Sequence, residues 1–365
     1  MRVGEGIELH WDNMLAGIRQ QPSWLEHGPG ELLEDARRLV DGPPPPAIYL
    51  VGCGDSHYAG LSTQLAFERW SGIPTHALPS LEFSRYRVEL APPGAWVVCV
   101  SNSGKVVRTV EAAANARARG LAAIGVTYDP DSRLADTADV TLAFRYADPG
   151  FGPGTISYVA SLGALYALAV CAAELAGRDV RGLIESVQAQ SETCSETIDL
   201  AGPAAEGLAE RLPDDATVDV VGGGPSYGSA LFGRAKLIES AHMPGGAHEL
   251  EEWAHEEFFC TGPGTTTIVL APSGASHDRA VEQLEAAKQI GAAAVAVCAP
   301  TAPAADAADV VLPVAGDPRE ELSPLTGCIP LELLAYHYAS TRGLTMLGFD
   351  DEQRKALNFH QIFGT

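Results

Sequence analysis

Four small residues, Ser101-Asn102-Ser103-Gly104, follow the apolar run "AWVVCV" and precede an apolar helical pattern. Small side chains let backbone amides approach a ligand closely. Two hydroxyls and a side-chain amide add donors, and a helix N-terminus favours negative charge. Lys105 and Arg108 follow, in a chain short of cations. The chemistry this suits is capture of an anion such as a phosphate, since hydrogen bonds to a charged group contribute about 1.5–3 kcal/mol each. The same residues also suit an ordinary helix N-cap.

A second group lies in "GRAKLIESAHMPGGAHELEEWAHEEFF", where Lys236 and Glu239 stand three apart and His242, His248 and His255 follow. Three apart on a helix is one face, so ammonium and carboxylate meet there. By itself the pair reads as a surface ion pair among solvated acids, and a metal site is the other possibility. The histidine spacings of six and seven match no usual zinc pattern, and "HELEE" is not H-E-x-x-H. No metal is expected.

The elements that hold these residues follow from an internal repeat. "YLVGCGDSHY" (Tyr49–Tyr58) resembles "DVVGGGPSYG" (Asp219–Gly228), setting Gly222 170 residues after Gly52. "VVCVSNSG" resembles "IVLAPSG", and "LADTADVTLAF" resembles "AADAADVVLPV", at the same offset. Each copy alternates apolar strands with helices, which implies βαβ units and parallel sheets covered on both faces. The expected fold is α/β, with two tandem doubly wound, flavodoxin-like domains. A helical N-terminal segment (1–45) ends at the breaker "DGPPPPA". Domains at 46–200 and 201–347 and a tail at 348–365 follow.

The repeat also bears on the small-residue turn. The second copy has Ala271-Pro272-Ser273-Gly274, which lacks one hydroxyl and one backbone donor. Capping would be needed in both copies, an anion site in only one. The asymmetry assigns the anion to the first.

Composition limits the partners. With 365 residues, 46% hydrophobic and 19% charged, the chain suits a soluble protein of about two domains. A formal charge of −23 argues against nucleic acid or an anionic membrane surface. Seven scattered cysteines without a CxxC pair read as buried thiols of a reducing, cytoplasmic setting. The N-terminus is not a signal peptide. "ISYVASLGALYALAVCAA" (156–173) is long enough to span a bilayer, but its serines, glycine and tyrosines favour a buried helix. "GCG" and "GGG" are not G-x-G-x-x-G, so neither a nicotinamide nor any other cofactor is expected.

Phosphate turn, Lys-x-x-Glu and downstream histidine together resemble the sugar isomerase (SIS) family. The likeness is greatest to the isomerase half of glutamine–fructose-6-phosphate amidotransferase and to amino-sugar-phosphate deaminases and deglycases. The resemblance covers about residues 48–344. It implies that Cys53-Gly54-Asp55-Ser56 forms the first binding turn and that Ser101, Asn102, Ser103 and Lys105 hold the phosphate. It also implies that Ser157 supplies a third binding segment. It further implies Glu239 as the base moving a proton between C1 and C2 of the open-chain sugar, Lys236 as a residue that helps hold the open-chain substrate, and His255 as the ring-opening group. In the family that histidine reaches across from a neighbouring subunit, so a homodimer with shared sites is implied. A base near neutrality suits a carbon acid beside a carbonyl, and histidine suits ring opening near pH 7.

Several positions depart from the family's pattern. Asp55 replaces a threonine, where an anion would oppose a phosphate unless it faces an amine or hydroxyl. Lys105 and Val106 replace an acid and a hydroxyl. Glu256-Glu257 replaces Gly-Pro. The family's tail closes over the site, and here "RKALNFHQIFGT" offers Lys355 or His360. With Met1-Arg2 at the start and no cysteine near it, ammonia release from glutamine is not expected. The implied activity is a phosphosugar isomerase or deaminase acting on an amino-sugar or ketose 6-phosphate. A non-catalytic phosphosugar-binding protein is the alternative.

Overall fold

The computed structural model describes residues 10–364. Strands β1 (Ile48–Gly52), β2 (Thr75–Pro79), β3 (Trp96–Val100), β4 (Ala122–Thr127) and β5 (Val140–Ala143) form one sheet, ordered β2-β1-β3-β4-β5. A second sheet repeats that order with β6 (Thr217–Gly222), β7 (Ala247–Glu249), β8 (Thr265–Leu270), β9 (Ala293–Cys298) and β10 (Val310–Pro313), as β7-β6-β8-β9-β10. All neighbouring strands are parallel. β3 is buried at every residue, as its unbroken apolar run requires of a strand covered on both faces. The order reverses between β1 and β3, and again between β6 and β8, where a crevice opens at the carboxyl ends of the strands.

Nine described helices of twelve residues or more surround the sheets: α1 (Trp11–Leu39), α2 (Asp55–Ser71), α3 (Val107–Ala118), α4 (Ile156–Leu175), α5 (Gln190–Arg211), α6 (Pro225–Ala241), α7 (His277–Gln289), α8 (Ile329–Thr341) and α9 (Glu352–Phe363). α1 supplies the helical N-terminal segment; residues 1–9 of that segment lie outside the described residues. α4, the apolar helix of near-membrane length, is buried almost throughout and packs against α1 and α2. The junction expected at 200/201 falls inside α5, which runs on through Pro203.

The repeat is visible in the backbone. α2 and α6 start after Gly54 (φ 54°, ψ −131°) and Gly224 (φ 53°, ψ −128°), the same unusual conformation in both copies. Trp96 pairs with Ala122 and Thr266 with Ala293, so the second copy carries one extra residue before β9. The two lobes meet through α2 and α6. A Cβ on Gly228 would lie 2.3 Å from Ser62 Oγ, which makes glycine the residue that permits the approach. Tyr158 of α4 hydrogen-bonds Ser62 at 2.9 Å and stacks on Phe232 of α6, ring centroids 3.8 Å apart. Three helices are thereby fixed around the carboxyl ends of β1 and β6.

Candidate functional site

Lys236 and Glu239 sit one turn apart on α6, on the face turned to the first lobe. Lys236 Nζ donates to Glu239 Oε2 at 2.7 Å and to Asp55 Oδ2 at 2.8 Å. Asp55 opens α2, 181 residues away in sequence, and so joins the two lobes at a single ammonium. The lysine is 0% exposed, while Asp55 and Glu239 keep 28% and 32% of their side chains accessible. Lys236 Nζ also lies 4.9 Å from the centre of the Phe232 ring, so its stem and head are both held.

Burial would lower the Lys236 ammonium, but Asp55 and Glu239 more than offset it, and the group stays charged above its ordinary range. Burial raises Glu239, Lys236 pulls it back, and Asp55 raises it further. A carboxylate above its usual range beside a fixed cation is the condition a proton-abstracting base needs. The question raised by Asp55 is thus answered within the chain. It faces an amine, that of Lys236.

Asn102 and Ser103 of the 101–104 turn line a cavity of about 560 Å³ together with Lys105, Tyr128, Arg145, Tyr146, the 148–157 loop and Asn13 of α1. Ser157 is among its lining residues. A Cβ on Gly154 would stand 2.6 Å from Ser157 Oγ and 3.4 Å from Asp55 Oδ2, so the cavity adjoins the Lys236 cluster there. α3 begins only at Val107, with Val106 at its N-cap and no side-chain cap bond. The two serines are therefore not capping α3, contrary to the N-cap alternative. Ser103 Oγ instead accepts the Lys105 N–H at 3.3 Å. Gly104 turns the chain at φ +62°, where a Cβ would meet Ser132 Oγ at 2.0 Å.

At the equivalent place the second lobe has a small cavity and, beside it, a more open space of about 610 Å³ lined by Ser273, Gly274, Ala275, Asp317 and Arg319 among others. The small cavity, lined by Ala271, Pro272, Ser273, Cys298 and Gly316 among others, measures about 30 Å³. Beside it the carboxylate of Glu320 accepts the Ala275 N–H at 2.9 Å and pairs with Arg69 at 2.7 Å. The open space therefore differs from the first lobe's in its charges, because both of its arginines, Arg69 and Arg319, pair with Glu320 and Glu321.

Of the other expected residues, Cys53 takes a weak contact from Thr109 Oγ1 at 3.9 Å, and the Ser56 N–H donates to the Cys53 carbonyl at 3.3 Å. His255 ends the short helix Glu252–His255 after β7, 68% exposed and 3.7 Å from Glu251. Within the chain it makes no ion pair with Glu239. Lys355 pairs with Glu352 at 3.5 Å, and His360 lies in the last turn of α9. The tail does reach the cavity's surroundings. Phe349 stacks on Phe151 of the 148–157 loop, centroids 6.2 Å apart, and a Cβ on Gly364 would lie 3.1 Å from Val107. Among the described residues no group of three or more His, Cys, Asp or Glu could hold a metal ion.

Arg145, Tyr146, Tyr128 and Asn13 were not singled out from sequence. The first two follow β5 directly, at a strand's carboxyl end, and that position is the signal that could have found them.

The family model for the SIS domain matches residues 45–171 and 212–342. The chain belongs to the SIS domain family. Among SIS relatives it is 29% identical, over 301 residues, to the glutamine–fructose-6-phosphate aminotransferase (isomerizing) of Methanothermobacter thermautotrophicus, covering 81% of this chain and 49% of that protein. Against the enzyme of the same name from Gloeobacter violaceus it is 30% identical, with the same coverage. The chain spans about half the length of the curated relatives it matches. In structure it resembles the C-terminal domain of glucosamine-fructose-6-phosphate aminotransferase from Francisella tularensis (TM-score 0.79, 20% identity, 92% of this chain and 97% of that one). It also resembles a glucosamine-6-phosphate deaminase from Thermotoga maritima (TM-score 0.70, 21% identity, 91% and 96%). The SIS domains here have the phosphosugar-isomerase type of fold.

Proposed function

We propose that this SIS protein is an enzyme that binds an amino-sugar or ketose 6-phosphate and moves a proton between its C1 and C2, with release or exchange of the amino group. The observation that carries the reading is the Asp55–Lys236–Glu239 cluster, whose Asp55 adjoins the cavity wall at Gly154. The 101–105 turn would hold the phosphate and set the open-chain head beside Glu239. There the carboxylate takes the proton from the carbon next to the carbonyl, and Lys236 stabilises the oxygen that gains charge. For a 2-amino aldose, loss of the C2 proton and protonation at C1 give a C2 imine. Water then hydrolyses it to the ketose and ammonia. Because Lys236 is held as an ammonium, it acts as a charge and not as a nucleophile.

The test is incubation in deuterium oxide with glucosamine 6-phosphate, with fructose 6-phosphate plus ammonia, and with glycated amino-acid phosphates. Deuterium entering C1 or C2 of one phosphorylated member, and not of its unphosphorylated counterpart, is the expected result. Binding without exchange would favour the phosphosugar sensor, and no binding would remove both readings.

A ring-opening role for His255 needs a second copy of the chain. Exposed Ile238 next to Glu239, and exposed Phe258 and Phe259 after His255, supply apolar surface for such a contact. Mixing Glu239→Gln protein with His255→Ala protein, each inactive alone, should then restore part of the activity after subunit exchange. Verified mixed dimers with no recovery would refute the shared site.

A further inference from the structure

The duplication supplies an internal control for the cavity. Residues shared by both copies serve the common backbone. Those found only beside the first lobe's 560 Å³ space, and absent beside the spaces of about 30 and 610 Å³ at the second lobe's turn, call for a ligand. Ser103 and Gly104 recur as Ser273 and Gly274. Asn102, Lys105, Arg145 and Tyr146 do not; Pro272, Ala275, Ala315 and Gly316 stand in their places. The correspondence holds beyond the strands, because the Phe144 N–H donates to the Thr127 carbonyl at 3.0 Å as the Val314 N–H donates to the Cys298 carbonyl at 2.9 Å.

Two of these four residues lie outside the turn. Arg145 Nη1 donates to the Tyr128 carbonyl at 2.7 Å, and among the described residues no carboxylate pairs with the guanidinium. Lys105, by contrast, lies 3.9 Å from Asp129. Asp129 and Asp148 also line the space, and Asp148 Oδ1 accepts the Gly150 N–H. The empty walls thus carry two cations and two carboxylates, and Arg145 is the cation with no acid partner. The Tyr146 hydroxyl donates to Asn102 Oδ1 at 2.9 Å. Burial pushes that phenol up to about 12, so it remains a donor. With its oxygen engaged, Asn102 keeps its NH2 group for a ligand.

We infer that Arg145 is a second cation of the anion site, gripping the phosphate of a phosphomonoester together with Lys105 and the 101–104 turn. Tyr146 is a positioning residue that orients Asn102 for the same task. The inference rests on the phosphosugar reading above, and it names a dianion as the preferred charge state. A guanidinium fork matches two phosphate oxygens at once, which an ammonium does not.

The experiment is isothermal titration of the whole chain with fructose 6-phosphate, inorganic phosphate and fructose, in wild type, Arg145→Gln, Arg145→Lys and Tyr146→Phe. One charge-assisted hydrogen bond corresponds to a loss of roughly 10–100-fold for Arg145→Gln. Arg145→Lys should recover part of that, and Tyr146→Phe should lose several-fold. A merely structural role would not move the pH dependence. The Arg145→Gln deficit should shrink below about pH 6, where a phosphomonoester takes up its second proton. Arg145 is exposed, so the variants should melt with wild type; should Arg145→Gln fail to fold, Arg145→Lys carries the comparison. Equal affinity in wild type and Arg145→Gln, or an equal deficit for fructose, overturns the inference and leaves the function standing. Wild-type protein that binds neither phosphate would overturn the function itself.

Discussion

Glu239→Gln lowers turnover by about 10²–10⁴-fold, the range a general base contributes, and leaves sugar-phosphate affinity close to wild type. The asymmetry follows from where the residue sits. Glutamine keeps the length of the side chain and an oxygen that can accept from Lys236 Nζ, now 2.7 Å away. The 560 Å³ cavity and its donors lie on the other lobe and are untouched. What disappears is the proton acceptor. Burial holds Glu239 above the ordinary carboxylate range, so the acid limb of the wild-type pH–rate profile should fall at a higher pH than a solvated glutamate would give. Steady-state rates beside calorimetric titration of the same preparations decide the matter. Undiminished turnover would take Glu239 out of the mechanism. Lost binding would assign it a role in holding the substrate instead.

What the sequence disclosed about this site, and what it withheld, divides by the range of the interaction. The Lys-x-x-Glu spacing is local, and α6 brings the two together as a helix must. The two tandem parallel-sheet domains also follow from a pattern of apolar runs and turns that repeats after 170 residues. Asp55 is different. Its carboxylate meets Lys236 across 181 residues, and only the packing of α2 on α6 reveals the partner. Read alone, an acid in a phosphate-binding turn is an electrostatic conflict, and the conflict dissolves once the buried ammonium is seen. Arg145 and Tyr146 were missed for the same reason, since they reach the turn from the end of β5. The N-cap alternative arose because serine and asparagine favour helix caps in general. Here Gly104, locked against Ser132, delays the helix to Val107. His255 stays apart from Glu239 within one chain, so its role depends on a contact that neither pattern nor monomer contains.

Glu332→Gln stabilises the protein at alkaline pH, and the reason is a carboxyl group that the proposed chemistry does not use. Glu332 lies on α8, fully buried, where Oε2 accepts from Gln21 Nε2 of α1 at 2.8 Å and Oε1 has no partner among the described residues. Burial pushes it up to about 8; the Gln21 bond and Lys236 oppose this, and Asp55 adds to it. The sign is fixed by proton counting. An unfolded glutamate titrates near 4.3, so between roughly pH 4.3 and 8 the folded state binds the additional proton. Stability from this group is therefore full below that window and is lost as pH rises through it. The nominal loss is about 3–5 kcal/mol by pH 8.5, from 1.36 kcal/mol for each unit of pKa. Glutamine keeps the size and an acceptor for Gln21 while removing the charge. Its melting temperature should exceed wild type by roughly 4–7 °C at pH 8.5, at about 1.3 °C per kcal/mol for a chain of 365 residues, and the gap should close at pH 4.5. Thermal melts of both proteins across that range measure it. A gap that stays constant with pH would mean that Glu332 does not titrate in the folded protein. A gap of the opposite sign would mean that an ionised Glu332 stabilises the α1–α8 contact through Lys236.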